Sequence, residues 1–324
     1  MANRDSYVGF GREASAYGTR QAPTRSFEAE ADPAKVEMQH LDRTGLRAGR
    51  HTRRAAEVRT TVIGATGSFP LTVMQTGFGM LFRAMLDTAA IAQVGATAAY
   101  LQTFNSAQEF NGESLTMQVV RGKAGGTKCF EYPGTTIHGW TLEQQRDAYL
   151  KLTVEHNSQD EDLGQSAAAA VYPAAAVEFA WPDLVVTLGG TPVDVRSFKL
   201  TADRGLDVAR RRLRGSRLKK VPVRIADPSY MVDLELDYTE ETYYDLVRSG
   251  ATLAVVATWT GATEIDTNEF PYLKATMAAV QLRGDTPQVD PAGAEPTLTL
   301  SGPVLHDDSN VAVKLEYQSS DTAH

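Results

Sequence analysis

Apolar and polar side chains alternate with a period of two along most of this 324-residue chain. The clearest runs are residues 69–74, 115–120, 137–142, 149–154, 232–237, 253–259, 273–282 and 297–301. Such alternation, rich in Val, Thr and aromatic residues, predicts strands that bury one face, and hence antiparallel sheets. Only two short stretches carry helical spacing, residues 77–86 and 240–247. Thr76 and Thr239 stand before them as N-caps. Glu240 and Glu241 fall in the first turn of the second helix, where its dipole favours anions, and Ser249-Gly250 ends it. The predicted fold is therefore mainly β, with one short helix in each half.

The pattern is also written twice. "TRSFEAEAD" at 24–32 aligns with "VRSFKLTAD" at 195–203. In each copy a basic, glycine-punctuated stretch follows, then a strand, a capped helix and further strands. Between the copies lies "SQDEDLGQSAAAAVYPAAAVEFAWPD", 158–183, whose acidic and Ala/Pro-rich character reads as a linker. The expected boundary near residue 165 gives a first domain, 1–165, with a long basic hairpin at about 35–64. The second domain, 166–324, has its basic hairpin at about 204–226.

Charge sharpens this picture. The net charge is −8, but residues 42–59 carry a local +4 and residues 203–224 a local +7, leaving −19 for the remainder. Arg43, Arg47, Arg50, Arg53 and Arg54 lie in the first basic stretch. Arg210, Arg211, Arg212, Arg214, Arg217, Lys219 and Lys220 lie in the second. Three uses compete: nucleic-acid binding, solvated loops, or contact with an acidic surface on another copy of the chain. The first is disfavoured because residues 28–68 hold no Phe, Tyr or Trp for stacking bases, and because the acidic remainder repels phosphates. Head-to-tail contact between copies suits arginine, whose forked guanidinium pairs with carboxylates at two points, and such contact propagates instead of closing.

Catalytic chemistry finds no foothold. "VRTTVIGATGSFP", 58–70, resembles the entry to a dinucleotide loop, but Phe69-Pro70 replaces the third glycine and a strand follows in place of a helix. Gly64 and Gly67 are better read as a turn or bulge at the base of the hairpin. The six histidines are scattered without metal-ligand spacing, and no nucleophile elbow or Walker loop is present. No catalytic, cofactor or metal residues are expected. Cys129, the single cysteine, alternates like a strand residue and reads as packing. No apolar run is long enough to span a bilayer or anchor the chain, and the N-terminus lacks a signal-peptide core, so a cytoplasmic site of synthesis is expected.

The order of parts resembles the tail tube proteins of long-tailed bacteriophages, in the branch of about 300 residues. The likeness is carried by "YVGFGREASAYGT", "SFEAEAD" and "PLTVMQTGFGMLFRAML" in the first half. "LGGTPVDVRSFKLTADRGLDVARRRLRGSRLKK", "YTEETYYDLV" and "PTLTLSGPVLHDDSNVAVKLEYQSSD" carry it in the second. The resemblance implies two tandem β-sandwich domains whose inner sheets join those of neighbours into a ring barrel. It implies a non-enzymatic virion protein, assembled in the host cytoplasm, which stacks as rings and meets other tail proteins at the tube ends. DNA would pass through the lumen without specific binding. Two tube domains per chain imply a trimeric ring with pseudo-six-fold symmetry, or failing that a hexamer. The arginines and lysines named above would then make the inter-ring contacts. A related injection-machine tube or tail component, or a nucleic-acid-binding module, is the alternative.

Overall fold

The structure is a computed structural model that describes residues 6–13, 16–32, 34–43, 52, 55–173, 176–238, 241–286 and 296–323. Its first half runs β1 (Tyr7–Arg12), β2 (Arg25–Phe27), β3 (Lys35–Asp42), β4 (Val58–Thr72), α1 (Gly79–Met85), β5 (Thr88–Gln93), β6 (Tyr100–Asn105), β7 (Leu115–Lys123), β8 (Gly126–Gln145) and β9 (Lys151–Ser158). The second half runs β10 (Leu184–Leu188), β11 (Thr191–Val193), β12 (Val195–Asp203), β13 (Ser229–Asp237), α2 (Thr242–Ser249), β14 (Thr252–Thr260), β15 (Tyr272–Gln281), β16 (Arg283–Gly284), β17 (Thr297–Leu305) and β18 (Val313–Ser319). Among the described residues the fold is mainly β with two short α-helices, as the periodicity predicts.

Every ladder is antiparallel. One long sheet has the order β3–β4–β9–β8–β12–β13–β17–β16. A second has the order β11–β10–β14–β15–β18–β6–β5. A smaller group, β2–β1–β7, is joined to the first part of β8. Both long sheets cross from one half to the other, through β8 against β12 and β18 against β6. Within the first sheet the halves repeat an order, β3–β4–β9–β8 and then β12–β13–β17–β16.

Alternation explains the layers. In β13, Tyr230, Val232, Leu234 and Leu236 are buried while the residues between them are half-exposed or exposed. These inward faces meet those of the other sheets in one apolar cluster that draws on both halves. Phe10 stacks on Phe69 at 5.9 Å between ring centroids, and Phe198 meets Trp259 edge-to-face at 5.6 Å. The Trp259 indole N–H, dry in the core, donates to Gln144 Oε1 at 3.2 Å, so its polar end is satisfied. Glu13, in the opening motif, is also buried, and accepts from Ser114 Oγ, Thr116 Oγ1 and the N–H groups of Gly18 and Gly134 at 2.6–2.8 Å.

Several local expectations are corrected. α1 starts at Gly79 with Phe78 at its N-cap position. The buried Thr76 hydroxyl makes no hydrogen bond among the described residues. The chain turns instead at Gly77, at φ 90°, and its N–H donates to Asp321 Oδ2 at 2.5 Å. α2 starts at Thr242, with Thr239 and Glu240 outside the described residues, and Gly250 closes it in the left-handed region as expected. The two Arg-Ser-Phe motifs are not structural equivalents. Residues 25–27 pair with β1, whereas Phe198 pairs with β13 and β8. Opposite Leu71 stands Ala29, and opposite Leu234 stands Phe198. Leu71 and Leu234 share the spacing of Thr76 and Thr239, so the motif match is two residues out of register, a slip that keeps every side chain on its face.

The Ala/Pro-rich join lies along the first half. Ser26 N–H donates to Val171 O at 2.7 Å, Gln75 N–H to Val177 O at 2.8 Å and Phe179 N–H to Val73 O at 3.0 Å. Phe179 is fully buried. Truncating Phe198 to Ala should lower the free energy of unfolding by about 3–5 kcal/mol, since the large void would lie between two sheets with little room to collapse. Urea denaturation of the purified chain checks this.

Candidate assembly surfaces

β3 and β4 form the hairpin expected at about 35–64. Their ladder runs from Lys35 opposite Thr66 to Asp42 opposite Val58, with a bulge between Gln39 and His40. Beyond it Arg43 N–H donates to Glu57 O at 3.0 Å, and the Arg43 side chain is exposed. Arg47, Arg50, Arg53 and Arg54 lie outside the described residues. Val36, Met38, Leu41 and Val58 are all exposed on this arm. A projecting ribbon with apolar groups next to cations has the character of a contact surface.

The second basic stretch is not a hairpin ladder. One bridge, Leu206 with Arg224, and the bonds Asp207 N–H to Val223 O and Lys220 N–H to Arg210 O, both 2.9 Å, hold it as a closed loop. Pro222 lacks the N–H that a ladder needs, and like charges on successive residues resist close pairing. At its tip Leu213 is fully exposed, and Arg212, Arg214 and Arg217 are exposed beside it. Arg210 and Lys220 are half-buried, and Arg210 donates to Val221 O at 3.2 Å.

Lys219 goes the other way. Its side chain has no exposed surface, and its ammonium donates to Asn157 Oδ1 at 2.6 Å and Glu37 Oε2 at 2.8 Å. Arg211 stands 3.8 Å from the same carboxylate, and Gln159 Nε2 donates to Lys219 O at 2.9 Å. An ammonium buried this way needs its partners, because bare charge in the interior is heavily penalised. Burial pushes Lys219 below the usual lysine range against the pull of Glu37, while the Lys219 hydrogen bond holds Glu37 below the usual carboxylate range. The same contact explains the glycine-rich run. Gly64 and Gly67 form neither turn nor bulge; they sit inside β4, opposite Glu37 and His156. A Cβ on Gly64 would lie 3.0 Å from both Lys219 Cε and Nζ, so glycine leaves room for the lysine to cross.

A second cluster joins the two ends of the loop to the first half. Buried Asp87, just after α1, accepts from Arg204 Nη2 at 2.8 Å and Arg224 Nη2 at 3.2 Å. Arg204 Nη1 donates to Ala84 O and Ile137 O at 2.7 and 2.8 Å, and its guanidinium lies 4.8 Å from the Phe110 ring centre. Burial, and then the charge of Asp87, push the nearby Tyr230 hydroxyl up to about 12. Arg204 and Arg224 bracket the basic run, so both ends of the loop are anchored to the first half. Residues 117 and 137 positions apart meet here, and only the charge count of the run hinted at them.

Among the described residues no group of three His, Cys, Asp or Glu side chains could hold a metal ion, and no helix is long and apolar enough to cross a membrane. Cys129 is buried opposite Val120, and burial pushes its thiol up, away from the reactive thiolate. A family model described as phage tail tube protein matches residues 3–304. The chain belongs to the phage tail tube protein family. No curated protein matches the sequence. A tail tube protein is a structural component of the phage virion that assembles with itself into a tube, and the family is not one of enzymes. In this tail tube protein the two basic arms therefore differ in kind, one a projecting ribbon and the other a loop pinned to the body of its own chain.

Glu37 contributes stability that is present above the ordinary carboxylate pKa and is lost as pH falls through its lowered folded value. Glu37→Gln should flatten the acid limb of the stability curve below about pH 4.3, measured by urea unfolding across pH. Lys219→Met should destabilise by about 1–3 kcal/mol at neutral pH, because Asn157 and Glu37 lose their donor. The same unfolding assay reads it.

Proposed function

We infer that this tail tube protein stacks as rings into the hollow tube that conducts phage DNA from the capsid to the host cell. The observation that carries the reading is the first long sheet, in which two four-strand groups of the same order abut through β8 and β12. If one group is one sector of a ring, a chain supplies two sectors. Three copies then make a six-sector ring, and a hexamer of chains is the fallback. Each chain is a non-enzymatic building block, assembled in the host cytoplasm and meeting other tail proteins at the tube ends.

The basic arms make the contacts between rings. Arg43, Arg47, Arg50, Arg53, Arg54, Arg210, Arg211, Arg212, Arg214, Arg217 and Lys220 remain candidates, and Lys219, committed within its own chain, does not. The acidic remainder of the chain supplies partners for these cations. Carboxylates turned toward the lumen would repel phosphates, so that DNA slides without specific binding.

Negative-stain microscopy of concentrated protein should show rings or hollow tubes, and native mass spectrometry of released rings should count three chains. Arg212→Glu combined with Arg217→Glu reverses charge at the exposed tip and spares the Arg211–Glu37 contact. Circular dichroism of this variant should match the parent while tubes fail to lengthen. Normal tubes from it would remove the tip from the interface, and a salt-dependent DNA gel shift by the parent would favour a nucleic-acid-binding role.

A further inference from the structure

Lys219, Asn157 and Glu37 come together from three separate parts of the chain, the second basic loop, β9 and β3. The Lys219 side chain has no exposed surface, and its nitrogen touches both partners, Asn157 Oδ1 at 2.6 Å and Glu37 Oε2 at 2.8 Å. A lysine ammonium has only hydrogens to offer, so the Asn157 amide turns its oxygen toward Nζ. Cγ lies one C=O length beyond that oxygen, at most about 3.8 Å from the nitrogen. A nucleophile, an electrophilic carbon and a carboxylate thus stand within contact of one another, with the nitrogen shielded from water.

The surroundings hold all three in place. Asn157 sits mid-sheet, opposite Thr66 of β4 and Thr136 of β8. Gln159 Nε2 and Arg214 Nη2 both donate to Lys219 O, at 2.9 and 3.2 Å. Gly64 keeps the way open, since a Cβ there would lie 3.0 Å from Nζ. Reactants fixed this close escape most of the entropic cost of meeting. Burial presses Lys219 toward the neutral, nucleophilic amine, while the Lys219 hydrogen bond and, less strongly, Arg211 keep Glu37 ionised. The Thr136 hydroxyl, on the face that Asn157 shares across the ladder, is buried and makes no hydrogen bond among the described residues. It is a spare donor next to the amide.

We propose that Lys219 and Asn157 become joined by an amide bond between Nζ and Cγ, with Glu37 as the catalytic residue that carries the protons. Glu37 takes a proton from the ammonium, Nζ attacks Cγ, and the carbonyl electron pair moves onto Oδ1. As that pair returns, the Cγ–Nδ2 bond breaks. Two protons in all pass from Nζ to Nδ2 by way of Glu37, so the leaving group departs as ammonium and Glu37 is a carboxylate again. Nothing is oxidised or reduced, and no co-reactant is consumed. The contact described above is the state before the bond forms. Reaction happens once per chain, closes a loop between residues 62 positions apart, and fastens the second basic loop covalently to the first half. It needs only the folded single chain and is independent of the tube reading.

Intact-mass spectrometry of the full chain, purified and held at neutral pH, is the first test. The chain should weigh less than its sequence by one ammonia, and digestion should yield a branched species that joins the peptides holding residues 157 and 219. On denaturing gels it should run ahead of Lys219→Arg, which keeps the charge but lacks the amine. The full mass in the parent overturns the bond, and that measurement needs no variant. Ammonia loss confined to one linear peptide, or persisting in Lys219→Arg, overturns it as well, because either result places the chemistry in backbone cyclisation at Asn157. Glu37→Gln, with its fold checked by circular dichroism, should hold at least about tenfold less of the cross-linked chain. An undiminished yield overturns the role given to Glu37.

Discussion

The ladder between β8 and β12 is the constraint on which the rest of the molecule depends. It runs from Gln145 opposite Ser197 to Gly139 opposite Asp203, entirely within one chain. Trp140, Leu142 and Gln144 share its inner face with Phe198, Leu200 and Ala202, and all are buried. Because the side-chain period is two, a slip of one residue would turn each of these outward and leave Trp259 without its acceptor on Gln144. A second crossing pairs β18 with β6, from Lys314 opposite Asn105 to Ser319 opposite Tyr100. Two ladders and one shared core make the halves a single body.

Polar contacts then fix where the second basic loop lies. Asp87 with Arg204 and Arg224, and Glu37 with Lys219, each bridge a residue of the first half to one of the loop. Buried ion pairs of this kind add little net stability, because desolvation offsets attraction, but a broken one is expensive. Their effect is positional. The loop has almost no ladder of its own, yet its tip emerges at a defined place beside the first hairpin.

Belonging to the phage tail tube family fits a molecule whose distinctive features are edges, arms and charge distribution. An acidic body with cationic, partly apolar arms carries both signs of charge on one chain. Exposed Leu213 stands among the cations of the second arm, and exposed Met38 and Leu41 stand on the first.

Strand periodicity, the two helices, the doubled order of parts and the two cationic segments are all local properties of the chain, and each was readable from residue spacing alone. The fate of individual residues was not. Lys219 reads as one more cation in a run, and its burial depends on acceptors far off in the chain, Asn157 and a glutamate 182 positions away. Gly64 reads as turn chemistry, yet its small size serves a lysine crossing from the other half. Thr76 has the right type for a cap, but Asp321, near the far end of the chain, reshapes that corner. The Arg-Ser-Phe repeat is out of register by two because ladder pairing, not motif identity, assigns equivalence. Periodicity records which face of an element meets the core; which distant residue waits there is set only when the sheets close on one another.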